Sequence, residues 1–174
     1  EHAPRVVLAR ANVTLRAERP GAATLRHVTD APYEATVEVR AQGCRLEGLV
    51  VRHRSPSVAN NYAVYVTEGG SLEAEGLDVR SATGSGVAAE GAAVHLARCE
   101  ISGCKAHGLA LYAGLEGGEA AAGLVRCELR GNGGDGVRAR AGGGAVRLEG
   151  CTVADNRGAG LDVAGGAVAL EGCA

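Results

Sequence analysis

The chain has 174 residues, a formal net charge of −2, 28 glycines, six cysteines and four tyrosines, with no Met, Trp or Phe. A conventional globular core draws on aromatics, so any interior here is filled by Val, Leu, Ile, Ala and Cys. The near-neutral charge and scarce aromatics exclude a general nucleic-acid binder, and the lack of an uninterrupted run of about 18 apolar residues excludes a membrane-spanning helix.

Triplets of the form apolar, variable, apolar recur along the chain. The first triplet of each unit begins at Val6, Val37, Val64, Val87, Leu109, Val137 and Leu161. This period-2 alternation is that of a short strand with one face buried, and no triplet is long enough to be a helix. The last complete unit reads Leu161-Asp162-Val163, a turn, Val168-Ala169-Leu170, the bend Glu171-Gly172, then Cys173. Parity shifts across each Glu-Gly bend, so the apolar side keeps facing inward only if the chain turns a corner there. Three strands and three corners close one coil of an all-β parallel β-helix, and about seven coils at roughly 4.8 Å each span about 30 Å. The expectation is a single domain over 1–174, with 1–36 a less regular first coil and 37–174 regular. Since the chain starts without Met and shows no capping element, a piece of a longer protein is expected.

The corner after the second strand is occupied by Leu49, Leu77, Cys99, Cys127, Cys151 and Cys173, at steps of 28, 22, 28, 24 and 22 residues. Such a period signals an array. The cysteines read as a ladder of small buried hydrophobes in reduced form. A disulfide is the alternative, although parallel side chains suit it poorly, and a column lacks the convergence of a metal site. Reduced thiols favour cytosol or nucleus. Cys44 belongs to another column and Cys104 to a turn. Four seven-residue turns are constant, Arg80 to Gly86, Ser102 to Gly108, Arg130 to Gly136 and Ala154 to Gly160. Their closing glycines, with Asn132 and Asn156, are expected to supply left-handed backbone.

The segments Gly86-Val87-Ala88-Ala89, Gly108-Leu109-Ala110-Leu111, Gly136-Val137-Arg138-Ala139 and Gly160-Leu161-Asp162-Val163 resemble the right-handed parallel β-helix repeats of the pectin-lyase-like superfamily. Within it, the stretch from Ala-Thr-Val-Glu-Val to Leu-Glu-Gly-Leu-Val-Val looks most similar to the β-helix regions of F-box-only and SHC-binding proteins. The resemblance implies a right-handed coil and, for the F-box-like members, a substrate-recognition role in a ubiquitin-ligase-like adaptor. For the superfamily's polysaccharide enzymes it implies a substrate groove over the first strands.

The outward column of the first strands reads Val7, Glu38, Tyr65, Ala88, Ala110, Arg138 and Asp162. No two acids are adjacent in it, whereas glycoside hydrolysis needs two carboxyl groups within about 5 to 10 Å. Arg138 beside Asp162 is its only oppositely charged pair, and no catalytic residue or cofactor is assigned. The outward column of the third strands stacks Asp78, Glu100 and Glu128. Like charges in register repel, so solvent, neighbours such as Arg80 and Arg130, or a divalent cation must offset them; the first two are favoured because a linear ladder supplies calcium ligands poorly.

The longest turn, Arg52 to Ala63, carries Arg52, His53, Arg54, Asn60, Asn61 and Tyr62, and leads into Tyr65; Tyr33 lies in the corresponding turn one coil earlier. Tyr and Arg are enriched at binding hot spots, so Tyr33, Arg52, His53, Arg54, Tyr62, Tyr65 and Arg138 are the candidate binding residues, with Lys105, His107 and Arg130 extending the same edge. The expected role is non-catalytic presentation of a rigid face to a protein or peptide partner, with no nucleic acid or membrane. The alternative is a carbohydrate-binding or carbohydrate-active β-helix, which would show clustered acids and a Lys or Arg across adjacent coils of one groove.

Overall fold

A computed structural model of the chain describes residues 5–57, 61–140 and 143–174. The strands form three parallel sheets around one core. The first sheet is Val6–Leu8, Ala35–Val39, Tyr62–Val66, Ser85–Glu90, Leu109–Tyr112, Val137–Ala139 and Leu161–Val163. The second is Thr14–Arg16, Cys44–Glu47, Ser71–Glu75, Ala93–Ala97, Ala120–Val125, Gly143–Glu149 and Val168–Glu171. The third has six strands, Ala23–Val28, Leu49–Arg54, Asp78–Ser81, Glu100–Ser102, Glu128–Arg130 and Thr152–Ala154. The described residues therefore make six full coils plus a seventh that supplies strands to two sheets only. Among the described residues no helix is long and apolar enough to cross a membrane.

The register follows the alternation in the sequence. Val37, Val64, Val87, Leu109 and Val137 pair in turn and are buried, whereas the residue after each points outward. Leu46, Leu96, Leu124 and Leu148 fill the second sheet's inner face, and Val51, Val79, Ile101 and Leu129 that of the third. Each stacks on its equivalent about one strand spacing away, so aliphatic columns replace the aromatic packing of a globular core.

Two devices make the corners. At the bend after the second strands the left-handed positions are Gly48, Gly76, Arg98, Arg126, Gly150 and Gly172, one in each coil after the first. Glycine adopts this backbone freely, whereas the two arginines, at φ 51° and 53°, bear a steric penalty. The seven-residue turns work differently from the sequence expectation. Their closing glycines Gly86, Gly108, Gly136 and Gly160 are not left-handed, and neither are Asn132 and Asn156. Gly108 is needed for closeness, since a Cβ there would lie 2.6 Å from the Gly136 carbonyl oxygen. The asparagines form a ladder. Asn132 Nδ2 donates to Asn156 Oδ1 at 2.9 Å and to the Ile101 carbonyl at 3.3 Å, and Asn132 Oδ1 accepts from the Cys104 amide at 3.0 Å. These bonds satisfy a side chain that is otherwise sealed from water.

Cys99, Cys127 and Cys151 are buried, Cys173 is half-buried, and all six cysteines are free thiols. Each column thiol reaches back to a carbonyl of the previous coil, as Cys127 does to Leu96 at 3.3 Å and Cys151 to Leu124 at 3.4 Å. The adjoining Cys99 thiol and then burial hold Cys127 above its ordinary pKa, and burial pushes Cys104 up to about 11. Neither is disposed to form a thiolate, the reactive form.

Candidate functional site

In a solenoid the inward residues build the fold, which leaves the outer faces of the three sheets for function. The candidate residues do not share one edge. Arg52 and Arg54 lie on the outer face of the third sheet, and Tyr62, Tyr65 and Arg138 on the outer face of the first. His53 is turned between them and buried, 3% exposed. The segment read as one long turn is shorter, because Arg52 to Arg54 end one strand and Tyr62 and Ala63 begin the next. Asn60 falls outside the described residues. Arg130 also belongs to the third sheet, paired with Glu100 at 2.9 Å and Glu128 at 3.2 Å, so it extends no strip beside the tyrosines.

On the first sheet an aromatic patch forms. Tyr62 lies 5.2 Å from Tyr65 and 6.4 Å from Tyr112 between ring centroids, with planes tilted by 32° and 47°. Its floor is Ala35, Ala88 and Ala110, which are buried although they sit on the outer face. Small residues in register with Tyr65 leave the room into which the rings fold. Burial, before any other cause, raises the phenol pKa of Tyr62 and Tyr65, and the Tyr65 hydroxyl donates to Glu90. The sequence reading grouped Tyr33 with Tyr62 and Tyr65. The structure replaces it with Tyr112: Tyr33 is 67% exposed and, among the described residues, makes no ring contact with the others.

Charged clusters border the patch on both sides. Toward the first coil, buried Glu38 is clamped by Arg5 and by Arg40, whose Nε is 2.6 Å away. Toward the last, Arg138 contacts Asp135 at 3.4 Å and Asp162 at 3.8 Å. His107 Nδ1 lies 2.9 Å from the Asp135 backbone nitrogen and 3.1 Å from its carboxylate, and the ring Nε2 lies 3.4 Å from Arg138 Nη1. Burial lowers the His107 pKa against the opposing pull of Asp135, with Arg138 and Arg140 adding to the lowering. His107 was placed on this edge from sequence, whereas Asp135 was not, because it lies in a turn and the repeat gives turn residues no register.

The second sheet, not weighed from sequence as a site, carries two contiguous depressions. One of about 200 Å³ is bordered by Arg45, Glu47, Glu73, Glu75 and His95, and the next, about 380 Å³ and mostly apolar, by His95, Ala97, Val125 and Arg147. Arg45, Glu73, His95, Gly123 and Arg147 stand in register on successive coils. His95 bends over Gly123, where a Cβ would lie 2.8 Å from its Nδ1. Every acid here is matched: Glu73 by Arg45 at 2.8 Å, Glu75 by Arg98, Glu47 by Arg16 at 3.9 Å. These are exposed pairs, worth little individually, and they leave no desolvated carboxylate of the kind a general acid or base requires.

The acidic column on the third sheet is likewise interleaved with guanidinium groups. Asp78 contacts Arg52 and, at 3.6 Å, Arg80, while Arg80 reaches Glu100 at 3.8 Å. This arrangement answers the like-charge repulsion that the register would otherwise create.

Comparison with protein-family models matches residues 62–174 to the right-handed β-helix region. A search of curated proteins finds no match. With the match covering well over half of the sequence and the parallel three-sheet coil continuing through the rest, the chain belongs to the right-handed β-helix family.

Proposed function

We propose that the chain is a non-catalytic recognition domain that presents the first sheet's tyrosine patch to a protein or peptide partner. One observation carries this reading: of four tyrosines in a chain without Phe or Trp, three are gathered at one outer spot, where they add nothing to the internal columns. An apolar aromatic centre with a charged rim is the make-up of an interface hot spot. Strands fixed in a solenoid also limit the ordering cost of binding. A substrate-recognition part of a ubiquitin-ligase-like adaptor is the narrower form of the proposal, carried by the resemblance alone.

A carbohydrate reading is favoured by a different observation, the run of acids, arginines and His95 along the second sheet's depressions. The two are separated by where ligands land. Peptides selected from a display library against the folded domain are expected to lose affinity by about tenfold, about 1.4 kcal/mol, in Tyr65→Ala and Tyr112→Ala, and to be indifferent to Glu73→Gln and His95→Ala. Oligosaccharide binding with the reverse sensitivity, or turnover of pectate, alginate or polygalacturonate, would replace the peptide reading with the carbohydrate one.

A further inference from the structure

The third sheet is not uniform along its length. Beside Asp78, Glu100 and Glu128 its arginines are interleaved with acids, but in the earlier coils the column next to them is Thr24 and Val50. There Arg26, Arg52 and Arg80 stand directly in register on three successive coils, and Arg54 sits on the same outer face, in register with Val28. Like charges in register are unfavourable. Asp78 offsets Arg52 and shares Arg80 with Glu100. Arg26 and Arg54 have no acidic partner among the described residues.

These four arginines line one depression of about 320 Å³, together with His27, His53, Val28 and Ala82. No carboxylate lines it. Arg52 is held in place, since its Nη1 donates to the carbonyls of Val51 at 3.1 Å and Asp78 at 2.8 Å and its Nη2 to the Asp78 carboxylate. A fixed guanidinium is flanked by two unpaired ones, and the space equals roughly ten waters at about 30 Å³ each.

We propose that this depression is a binding site for a tetrahedral oxyanion, the phosphate or sulfate group of a small ligand or of a modified side chain. Guanidinium forks match such oxygens two at a time. Arg52 supplies the preorganised contact, and Arg54 on the same strand and Arg26 on the preceding coil close on the anion. The site is independent of the tyrosine patch, which lies on another sheet.

The test is titration of the whole chain with inorganic phosphate, inorganic sulfate and phosphoserine, followed by amide chemical shifts and calorimetry, with chloride at matched ionic strength as reference. Saturable binding of at least one of the three is expected, with shifts at Arg26, Arg52 and Arg54. The double variant Arg26→Gln/Arg54→Gln should weaken it by about tenfold or more while unfolding at the wild-type temperature, because both side chains are exposed. Preference among the three ligands identifies the source: a free anion, or an ester. A response equal to that of chloride, or saturable binding unaltered by the double substitution, would overturn the site.

Discussion

Thr36 has one hydroxyl proton, and its 3.0 Å contact to the Arg52 carbonyl uses it. The 3.2 Å contact between Thr36 Oγ1 and His53 Nδ1 then requires the ring to donate, which leaves the buried Nε2 as a bare lone pair. Desolvation, with a further push from His27, lowers the His53 pKa to about 4, against the opposing pull of Glu34. The folded state thus resists protonation more than the unfolded chain, whose histidines titrate near 6.5. The resulting stability is complete above pH 6.5 and is lost as pH falls toward 4. Glu34 acts lower: hydrogen bonds from Thr29 and His27 hold its carboxyl below the usual range, so its share disappears only under about pH 4.5. Thermal unfolding followed from pH 7 to 4.5 should therefore show a falling midpoint, and His53→Gln should flatten that slope, with the remainder attributable to His107. An unchanged slope in the variant would show that His53 is not buried neutral.

At the scale of the corner and the strand, the left-handed column at the bend gives the sharpest prediction. Arg126 occupies a position where four other coils use glycine, and its side chain is exposed. Arg126→Gly removes a steric cost of about 1 to 2 kcal/mol and adds back some unfolded-chain entropy, so a net gain of about 0.5 to 1 kcal/mol is expected. The urea midpoint should rise. Gly108→Ala should act oppositely, by about 1 to 3 kcal/mol, because the obstructing Gly136 carbonyl oxygen belongs to backbone and cannot swing aside. The strand columns were legible in sequence because inward residues are apolar in nearly every coil, and that regularity fixes the register of Tyr65 with Ala88 or Asp78 with Glu100. The site was legible only in part. Tyr112 sits two residues beyond the column read from sequence, and His107 and Asp135 lie in turns before it. Since no repeat places such residues, only the three-dimensional stacking shows that they meet. The role given to the turn glycines was mistaken for a related reason: sequence reports that a side chain is excluded, and not whether φ or a neighbouring coil excludes it.

Over the whole molecule, almost all tertiary contacts run between a coil and the next, so stability accumulates by nearest-neighbour stacking. The six thiols give a direct reading of this. After denaturation without reductant all six should react with a thiol reagent, and fewer than six would reveal a disulfide that the geometry lacks. In the folded protein the reaction should be partial and ordered. Cys173, half-buried on the last coil, should label first, followed by Cys151, and then Cys127 and Cys99 only on deeper opening. One chemical group repeated at one place on successive coils thus works as a ruler. The time at which each mark on it becomes readable reports how far the coil has unzipped from that end, and whether it peels turn by turn or lets go all at once.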